Sequence, residues 1–157
     1  MNHYPFNIMI VTALPEFKIG LKKKRSVEQL YDINSPETAA NVCRKCFDSG
    51  VIDWKEEFIV IALSRARKMI GFYKVSSGGV TGTVADPKVI FQFALLSNAS
   101  AILLCHNHPS GNLKPSQQDG ELTHKLSKAG KFLDIEVIDH LIITSEGYYS
   151  FSENGLI

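Results

Sequence analysis

The feature that most constrains the fold is a short, wholly apolar run that stops at a histidine. Residues Ala101–Cys105 (AILLC) carry no polar side chain, whereas residues 106–115 are polar and interrupted by proline and glycine. A short apolar run bounded by turn-forming residues is typical of a strand that is buried on both faces of a sheet. We therefore expect a central strand over 101–105, followed by a polar loop.

Other segments carry the signals of helices. Ser35 precedes Pro36, and Asp86 precedes Pro87. Serine and aspartate cap helix N-termini, and proline favours the first helical position. The first predicted helix begins at Ser35 and can end at Gly50, and the second begins at Asp86 and continues through Leu96. The third runs from about Gln117 to Ala129 and is closed by Gly130.

Apolar runs between turn signals predict the strands that accompany the central one. They lie at Phe58–Leu63, Met69–Val75, Val80–Val84 (a possible edge piece), Ile135–Thr144 and Gly147–Phe151. Strands that alternate with helices and hairpins favour an α/β or α+β layered fold, in which a mixed central sheet is flanked by helices.

The length and composition fit one soluble domain. Of the 157 residues, 45% are hydrophobic and 21% are charged, as in ordinary globular proteins. We expect this domain to occupy residues 35–157 and an extension to occupy residues 1–34. Within the extension, Phe17, Ile19 and Leu21 alternate with Lys18 and Gly20, which predicts a short strand.

The charge balance gives no general reason to expect a nucleic-acid partner. The chain has 17 basic and 16 acidic residues, a net charge of +1. The one basic run follows the predicted strand of the extension. It is either a solvated turn or a weak phosphate-contacting patch, and it consists of Lys22, Lys23, Lys24 and Arg25.

The cysteines and the apolar runs bear on the expected compartment. The chain has three cysteines, too few and too odd a number for a disulfide framework. We therefore expect a reducing, cytoplasmic setting. The apolar runs are too short to span a bilayer, and no signal peptide is expected at the N-terminus.

Two histidines and an aspartate near the central strand form a candidate metal site. His106 and His108 are separated by one residue, so in extended chain their rings point the same way. Asp119 falls in the first turn of the helix that follows and can fold back over the strand end. Two imidazoles and one carboxylate suit Zn²⁺ and leave a fourth position open, as in catalytic zinc sites. There the metal lowers the pKa of water towards neutrality.

The same residues have an explanation that needs no metal. Ser116 and Asp119 have the spacing of a helix capping box, with aspartate in place of the usual glutamate or glutamine. The two interpretations can coexist, because Ser116 can cap the helix while Asp119 binds a metal.

A hydrolytic zinc site also needs a general base, and two glutamates are candidates. Glu56 and Glu57 directly precede the strand at Phe58–Leu63. Side chains alternate between the faces of a strand, so only one of the two can face the metal. Both glutamates can also be solvated charges at a strand entry.

Other metal-binding features have simpler explanations. Cys43 and Cys46 could form half a zinc site, but they stand on an apolar helix face without a second cysteine pair. Cys105 points away from both histidines, which predicts a packing role. His140 could support a ligand from behind, although an ordinary buried histidine explains it as well.

The extended motif resembles that of a known family. The sequence HNHPSG at residues 106–111, followed by PSQQD at residues 115–119, resembles the JAMM motif of MPN-type metalloproteins, and the HNHPSG wording is similar to their RadC-like bacterial branch. The likeness covers roughly residues 35–157 and extends to Asp86–Ile90, Thr123, Asp139–Ile143 and Asn154–Ile157.

The resemblance implies a fold and a set of roles. The fold is the MPN type, akin to the layered cytidine-deaminase-like fold. His106, His108 and Asp119 take the zinc-ligand positions, and Ser116 helps to hold the reacting oxygen. The family pattern has its general base two residues before a phenylalanine, which selects Glu56, whereas JAMM proteases outside this branch would select Glu57.

The resemblance also implies what the protein acts on. JAMM enzymes cleave peptide or isopeptide bonds, so a peptide or protein substrate is expected. RadC-like proteins are associated with DNA repair, and many of them carry an N-terminal helix-hairpin-helix segment where residues 1–34 here are expected to form only a short strand and a basic run. Zinc-assisted phosphodiester cleavage and a non-catalytic DNA- or protein-binding module are therefore the alternatives.

Overall fold

A five-stranded mixed sheet with helices on both faces forms the fold of this chain, as a computed structural model describes it for residues 31–48, 50–78 and 84–157. The predicted fold class is confirmed, and residues 31–157 form one compact unit. The strand and the basic run predicted in the extension lie outside the described residues. So does the possible edge piece, except for Val84, which belongs to no element.

The elements follow the predicted order, with small shifts at their ends. The helices are α1 (Pro36–Cys46), α2 (Pro87–Leu96) and α3 (Gln117–Phe132), and the strands are β1 (Glu57–Leu63), β2 (Met69–Ser77), β3 (Ala101–Asn107), β4 (Glu136–Ile143) and β5 (Tyr148–Ser150). The sheet order is β2-β1-β3-β4-β5. Only β3 and β4 pair in parallel; the other neighbouring strands are antiparallel.

The helix starts agree with the capping signals in the sequence. The Ser35 hydroxyl accepts a hydrogen bond from the Thr38 backbone N–H at 3.2 Å, and the Thr38 hydroxyl accepts one from Ser35 N–H at 3.0 Å. The Asp86 carboxylate accepts from Lys88 N–H at 2.9 Å. These bonds satisfy N–H groups that have no partner within the helix.

Gly50 and Gly130 were expected to end helices, but neither lies at a helix end. Helix α1 ends at Cys46 because Phe47 already adopts an extended backbone, and Gly50 lies in the turn beyond it with φ +81°. Helix α3 continues past Gly130 to Phe132. A side chain at Gly130 would collide with the carbonyl oxygen of Ile135. Glycine at this position therefore permits a close backbone approach rather than stopping the helix.

The central strand is longer than the apolar run that predicted it. His106 and Asn107, expected in the loop, belong to β3 because their backbones pair with β4 opposite Ile142 and Ile143. The backbone N–H of His108 also donates to Ile143 O at 3.0 Å. The strand end therefore holds both predicted histidine ligands on a fixed backbone.

The two faces of the sheet carry separate apolar layers. One layer packs against α1 and includes Ile59, Ile61 and Cys105. The other packs against α2 and α3 and includes Phe58 and Leu104. Within the described ranges, no helix has the length and apolar character needed to cross a bilayer.

Candidate metal centre

The two predicted histidine ligands meet at the end of β3. His106 is 1% exposed and His108 is partly buried, and their Nε2 atoms are 3.0 Å apart. The rings meet edge to face, with centroids 4.8 Å apart. The Nδ1 of His108 is 2.6 Å from the carbonyl oxygen of Asn112. Since a carbonyl only accepts, Nδ1 carries the proton of the neutral ring and Nε2 has a free lone pair.

The first turn of α3 brings Asp119 to the same point. Its Oδ1 lies 3.3 Å from Nε2 of His106, and its Oδ2 lies 3.9 Å from Nε2 of His108. The capping box predicted for Ser116 is present as well, because the Ser116 hydroxyl accepts from Asp119 N–H at 3.1 Å and Oδ2 of Asp119 accepts from Ser116 N–H at 2.7 Å. The Ser116 hydroxyl also donates to Oδ2 at 2.6 Å. The cap therefore holds Oδ2, while Oδ1 lies towards Nε2 of His106.

The donor set fits a small divalent cation. Among the described residues, His106, His108 and Asp119 form the one group of three potential ligands, with donor atoms within 4.8 Å of one another. Zinc bonds of 2.0–2.1 Å arranged tetrahedrally put neighbouring donor atoms about 3.3 Å apart. The separation of 3.0 Å between the two Nε2 atoms and that of 3.3 Å between Nε2 of His106 and Oδ1 of Asp119 are close to that value, and the other carboxylate oxygen, Oδ2, is 3.9 Å from Nε2 of His108. Two imidazoles and a carboxylate are also a donor set that zinc accepts in catalytic sites.

Burial favours the neutral form of His106 and of His140. Desolvation lowers the pKa of His106 to about 4, against the opposing effect of Asp119, and the neighbouring His108 lowers it further. Burial likewise lowers the pKa of His140 well below its ordinary value. At neutral pH the ring of His106 can therefore offer a nitrogen lone pair without first losing a proton.

The adjacent glutamates lie in different environments. Glu57 is 1% exposed, and its carboxylate forms ion pairs with Lys74 at 2.7 Å and with Lys55 at 3.3 Å. It precedes Phe58, which pairs with His106, so strand alternation puts Glu57 on the face opposite His106. Its hydrogen bond raises the pKa of Lys74. The backbone carbonyl of Glu56 accepts from Gly78 N–H at 2.9 Å, which extends the pairing of β1 with β2. Strand alternation then assigns Glu56 to the His106 face.

Asn107 fixes the backbone around both glutamates, which the sequence analysis missed. Its side-chain amide donates to the carbonyl oxygens of Ile52 and Lys55, each at 2.8 Å. Its side-chain oxygen accepts from the N–H of Glu57 at 2.8 Å. The residue between the two histidines therefore ties the segment on each side of Glu56 to the central strand. Only the register between β1 and β3 reveals this link.

His140, for which the sequence leaves open a supporting role beside a ligand and an ordinary buried position, contacts a predicted ligand. Its Nε2 is 2.8 Å from Nδ1 of His106, and its Nδ1 is 2.6 Å from the Thr123 hydroxyl. The ring is fully buried and stacks on Phe151, with centroids 4.8 Å apart. Because β4 pairs with β3 through Leu104 and His140, the side chain lies on the same face as His106. The sequence gives no register between strands, so this contact could not be predicted.

The cysteines belong to the packed interior. Cys43, Cys46 and Cys105 are free thiols, and all are buried in the layer that packs against α1. Burial raises the pKa of Cys46 to about 12 and that of Cys105 well above its ordinary value. Neutral thiols in an apolar layer are poor metal ligands, which agrees with the packing role expected from the sequence.

The sheet order, the helices on both faces and the His-His-Asp cluster at the end of a central strand define a JAMM-type α/β domain. A family model described as the RadC-like JAB domain matches residues 33–156. The chain therefore belongs to the RadC-like JAB domain family, and the resemblance predicted from the motifs is confirmed.

Relatives from several bacteria agree with this assignment. A UPF0758 protein of Flavobacterium johnsoniae is 46% identical over 101 residues, covering 64% of this chain and 44% of that protein. A UPF0758 protein of Clostridium acetobutylicum is 36% identical over 147 residues, covering 94% and 62%. A UPF0758 protein of Thermosynechococcus vestitus is 39% identical over 146 residues, covering 90% and 56%. The chain thus spans about half the length of the curated relatives it matches.

Proposed function

We propose that this chain is a zinc-dependent hydrolase of the JAMM type, a metallopeptidase or isopeptidase. The observation that carries the proposal is the convergence of three donor atoms, one each from His106, His108 and Asp119, all within 4.8 Å of one another. In this proposal all three residues hold Zn²⁺. When bound, Zn²⁺ supplies a Lewis acid that makes water acidic near neutral pH and polarises a carbonyl oxygen.

Glu56 acts as the general base in this proposal. Its carboxylate accepts a proton from the attacking water and returns it to the leaving nitrogen, as peptide hydrolysis requires. Two observations favour it over Glu57: strand alternation gives it the His106 face, and the carboxylate of Glu57 is occupied by Lys74 on the opposite face.

Ser116 holds the reacting oxygen in the same proposal. Its hydroxyl has one proton, which is donated to Oδ2 of Asp119 at 2.6 Å. To stabilise negative charge on a substrate oxygen, the hydroxyl must rotate this proton away from Asp119. The backbone N–H of Ser116 still holds Oδ2 at 2.7 Å, so Asp119 keeps its position during that rotation.

We propose a peptide or protein as the substrate and a cytoplasmic setting for the reaction. The substrate class rests on the JAMM type of the domain. The setting rests on three free cysteines, which suit a reducing compartment. A DNA substrate is the second candidate, and the sequence feature that supports it is the basic run Lys22–Arg25.

The test compares zinc-loaded wild-type protein with His106→Ala on peptide, isopeptide and DNA substrates, in that order. We expect the wild-type chain to hydrolyse an amide bond and His106→Ala to lose that activity. His124→Ala is the matched control, because His124 is an exposed histidine of α3 outside the donor cluster. Full amide hydrolysis by His106→Ala would refute the proposal. Phosphodiester cleavage with salt-sensitive DNA binding would instead favour the second candidate.

A further inference from the structure

A chain of buried hydrogen bonds lies behind His106, and the proposed reaction does not use it. Nδ1 of His106 contacts Nε2 of His140 at 2.8 Å. Nδ1 of His140 contacts the Thr123 hydroxyl at 2.6 Å. That hydroxyl donates to the backbone carbonyl of Asp119 at 2.6 Å. This series of hydrogen bonds therefore begins at His106, one predicted ligand, and ends at the backbone of Asp119, another.

The Asp119 carbonyl, the last acceptor in this series of hydrogen bonds, determines which atom is the donor in each of them. A carbonyl oxygen can only accept, so the single hydroxyl proton of Thr123 points at Asp119. The hydroxyl oxygen must then accept from Nδ1–H of His140. A neutral imidazole carries one proton, so Nε2 of His140 is an acceptor, and His106 must donate to it from Nδ1.

We infer that His140 and Thr123 are positioning residues that hold His106 as its Nδ1–H tautomer, leaving Nε2 unprotonated towards His108 and Asp119. This inference rests on the proposed function in one respect only, that a metal ion is the group which Nε2 of His106 would bind. Both side chains are shielded from bulk solvent, since His140 is 0% exposed and Thr123 is 1% exposed. The ring nitrogens of His140 contact a histidine and a hydroxyl rather than a carboxylate, so this fully buried position offers no counter-charge to a protonated ring.

The fixed tautomer prepares the site for a cation. Nε2 of His108 is also unprotonated, because its Nδ1 donates to the Asn112 carbonyl. Two nitrogen lone pairs therefore face each other at 3.0 Å beside the Asp119 carboxylate. Such lone pairs repel one another, and a cation between them removes that repulsion. The alternative tautomer of His106 would put a proton at Nε2, and this proton would have to move before a metal could bind.

Thr123 also couples two of the predicted ligands. It follows Asp119 by one helical turn, so its hydroxyl reaches the Asp119 carbonyl from the same face of α3. The same hydroxyl supports the ring behind His106. Phe151 and Phe58 hold that ring, with centroids 4.8 and 5.4 Å from the centroid of His140. One side chain thus sets both the tautomer of His106 and the helix turn that carries Asp119.

The direct test reads the histidine tautomers by ¹⁵N–¹H correlation NMR of the zinc-free protein at neutral pH. In the wild type we expect protons on Nδ1 of His106 and of His140. Thr123→Val keeps the side-chain shape but removes the acceptor for His140. We expect both rings to change tautomer in that variant, with the proton of His106 on Nε2. Thr123→Ser retains the hydroxyl and should retain the wild-type spectrum. A wild-type His106 protonated on Nε2 would overturn the inference.

Zinc affinity gives a second readout that does not need a substrate. We expect Thr123→Val and His140→Phe to bind zinc about 10–100-fold more weakly, and Thr123→Ser to bind within a few-fold of wild type. His140→Phe retains an aromatic ring against Phe151, and circular dichroism reports whether each variant is folded. Wild-type affinity in folded Thr123→Val would contradict the inference. If the tautomers and affinities behave as expected but no amide substrate is cleaved, the proposed function fails and the positioning role stands.

Discussion

At the scale of single residues, Glu56 and Glu57 are chemically identical neighbours that differ in the face of the sheet to which each belongs. Glu57 is buried with Lys74 and Lys55 on the face of α1. Glu56 precedes it and belongs by alternation to the face of His106. Replacement of each carboxylate by an amide is therefore expected to have a different effect: on hydrolysis at Glu56 and on stability at Glu57.

Glu56→Gln should abolish hydrolysis and preserve zinc binding. Loss of a general base lowers turnover by about 10²–10⁴-fold. Glu57→Gln should instead lower stability by roughly 1–3 kcal/mol, because the partly exposed lysines lose a buried counter-charge. Turnover with saturating zinc, bound zinc and urea unfolding measure the two variants. Equal activity in Glu56→Gln and wild type would contradict the assigned base.

Asn107→Ala should reduce turnover more than it reduces zinc affinity. The substitution removes hydrogen bonds to Ile52, Lys55 and Glu57, which hold the backbone on each side of Glu56. We expect a loss of stability of about 2–4 kcal/mol, since buried backbone groups lose their partners. The comparison is made at a temperature where the variant is folded. Unchanged turnover in the folded variant would show that this backbone link does not position the base.

At the scale of elements, the sequence predicted which helices and strands exist better than where they end. Capping residues and apolar runs are local signals, so Ser35, Asp86 and Ser116 each begin a helix as expected. The end of α3 depends on Ile135, which lies beyond the helix and packs against Gly130. Such a contact follows from the turn after the helix and is not encoded in helical spacing.

Gly130→Ala should destabilise the protein although alanine is the better helix former. The added methyl group meets the Ile135 carbonyl, and overpacking of this kind costs about 1–3 kcal/mol. Gly120→Ala in the same helix is the matched control, because a side chain there enters open space. We expect Gly120→Ala to stabilise by about 0.5–1 kcal/mol. Urea unfolding of both variants checks the prediction, and a stabilised Gly130→Ala would contradict it.

At the scale of the whole molecule, the family and the layered fold were predictable, whereas the interior of the site was not. The motif at residues 106–119 and its flanking matches indicated a family that the comparison of residues 33–156 confirms. Which residues contact His106 from behind depends on the register between β3 and β4, which no local pattern specifies. The contacts of His140 and of Asn107 likewise depend on how the strands pair.

The stability of the zinc-free protein should fall as the pH falls from about 7.5 to 5.5. Burial lowers the pKa of His106 and of His140 in the folded state. Below the unfolded pKa near 6.5, the unfolded chain therefore binds protons that the folded chain does not. Each such histidine removes up to about 1.4 kcal/mol per pH unit.

Urea unfolding at several pH values measures this slope. Asp139 acts in the opposite direction, because burial raises its pKa in the folded state. Saturating zinc should leave the dependence at least as steep, because the folded protein binds no proton at His106 near neutrality with or without the metal, whereas the unfolded chain still does. Zinc-free protein that becomes more stable between neutral pH and 5.5 would contradict neutral, buried histidines.

The most direct test of the central claim is the zinc content of purified protein after zinc loading and desalting, measured by elemental analysis. The account predicts about one zinc per chain in the wild type and in His124→Ala, and none retained in His106→Ala, because removal of one of three protein ligands opens the site. A wild-type chain that retains no zinc, or a His106→Ala chain that retains as much as wild type, would contradict the proposed metal centre.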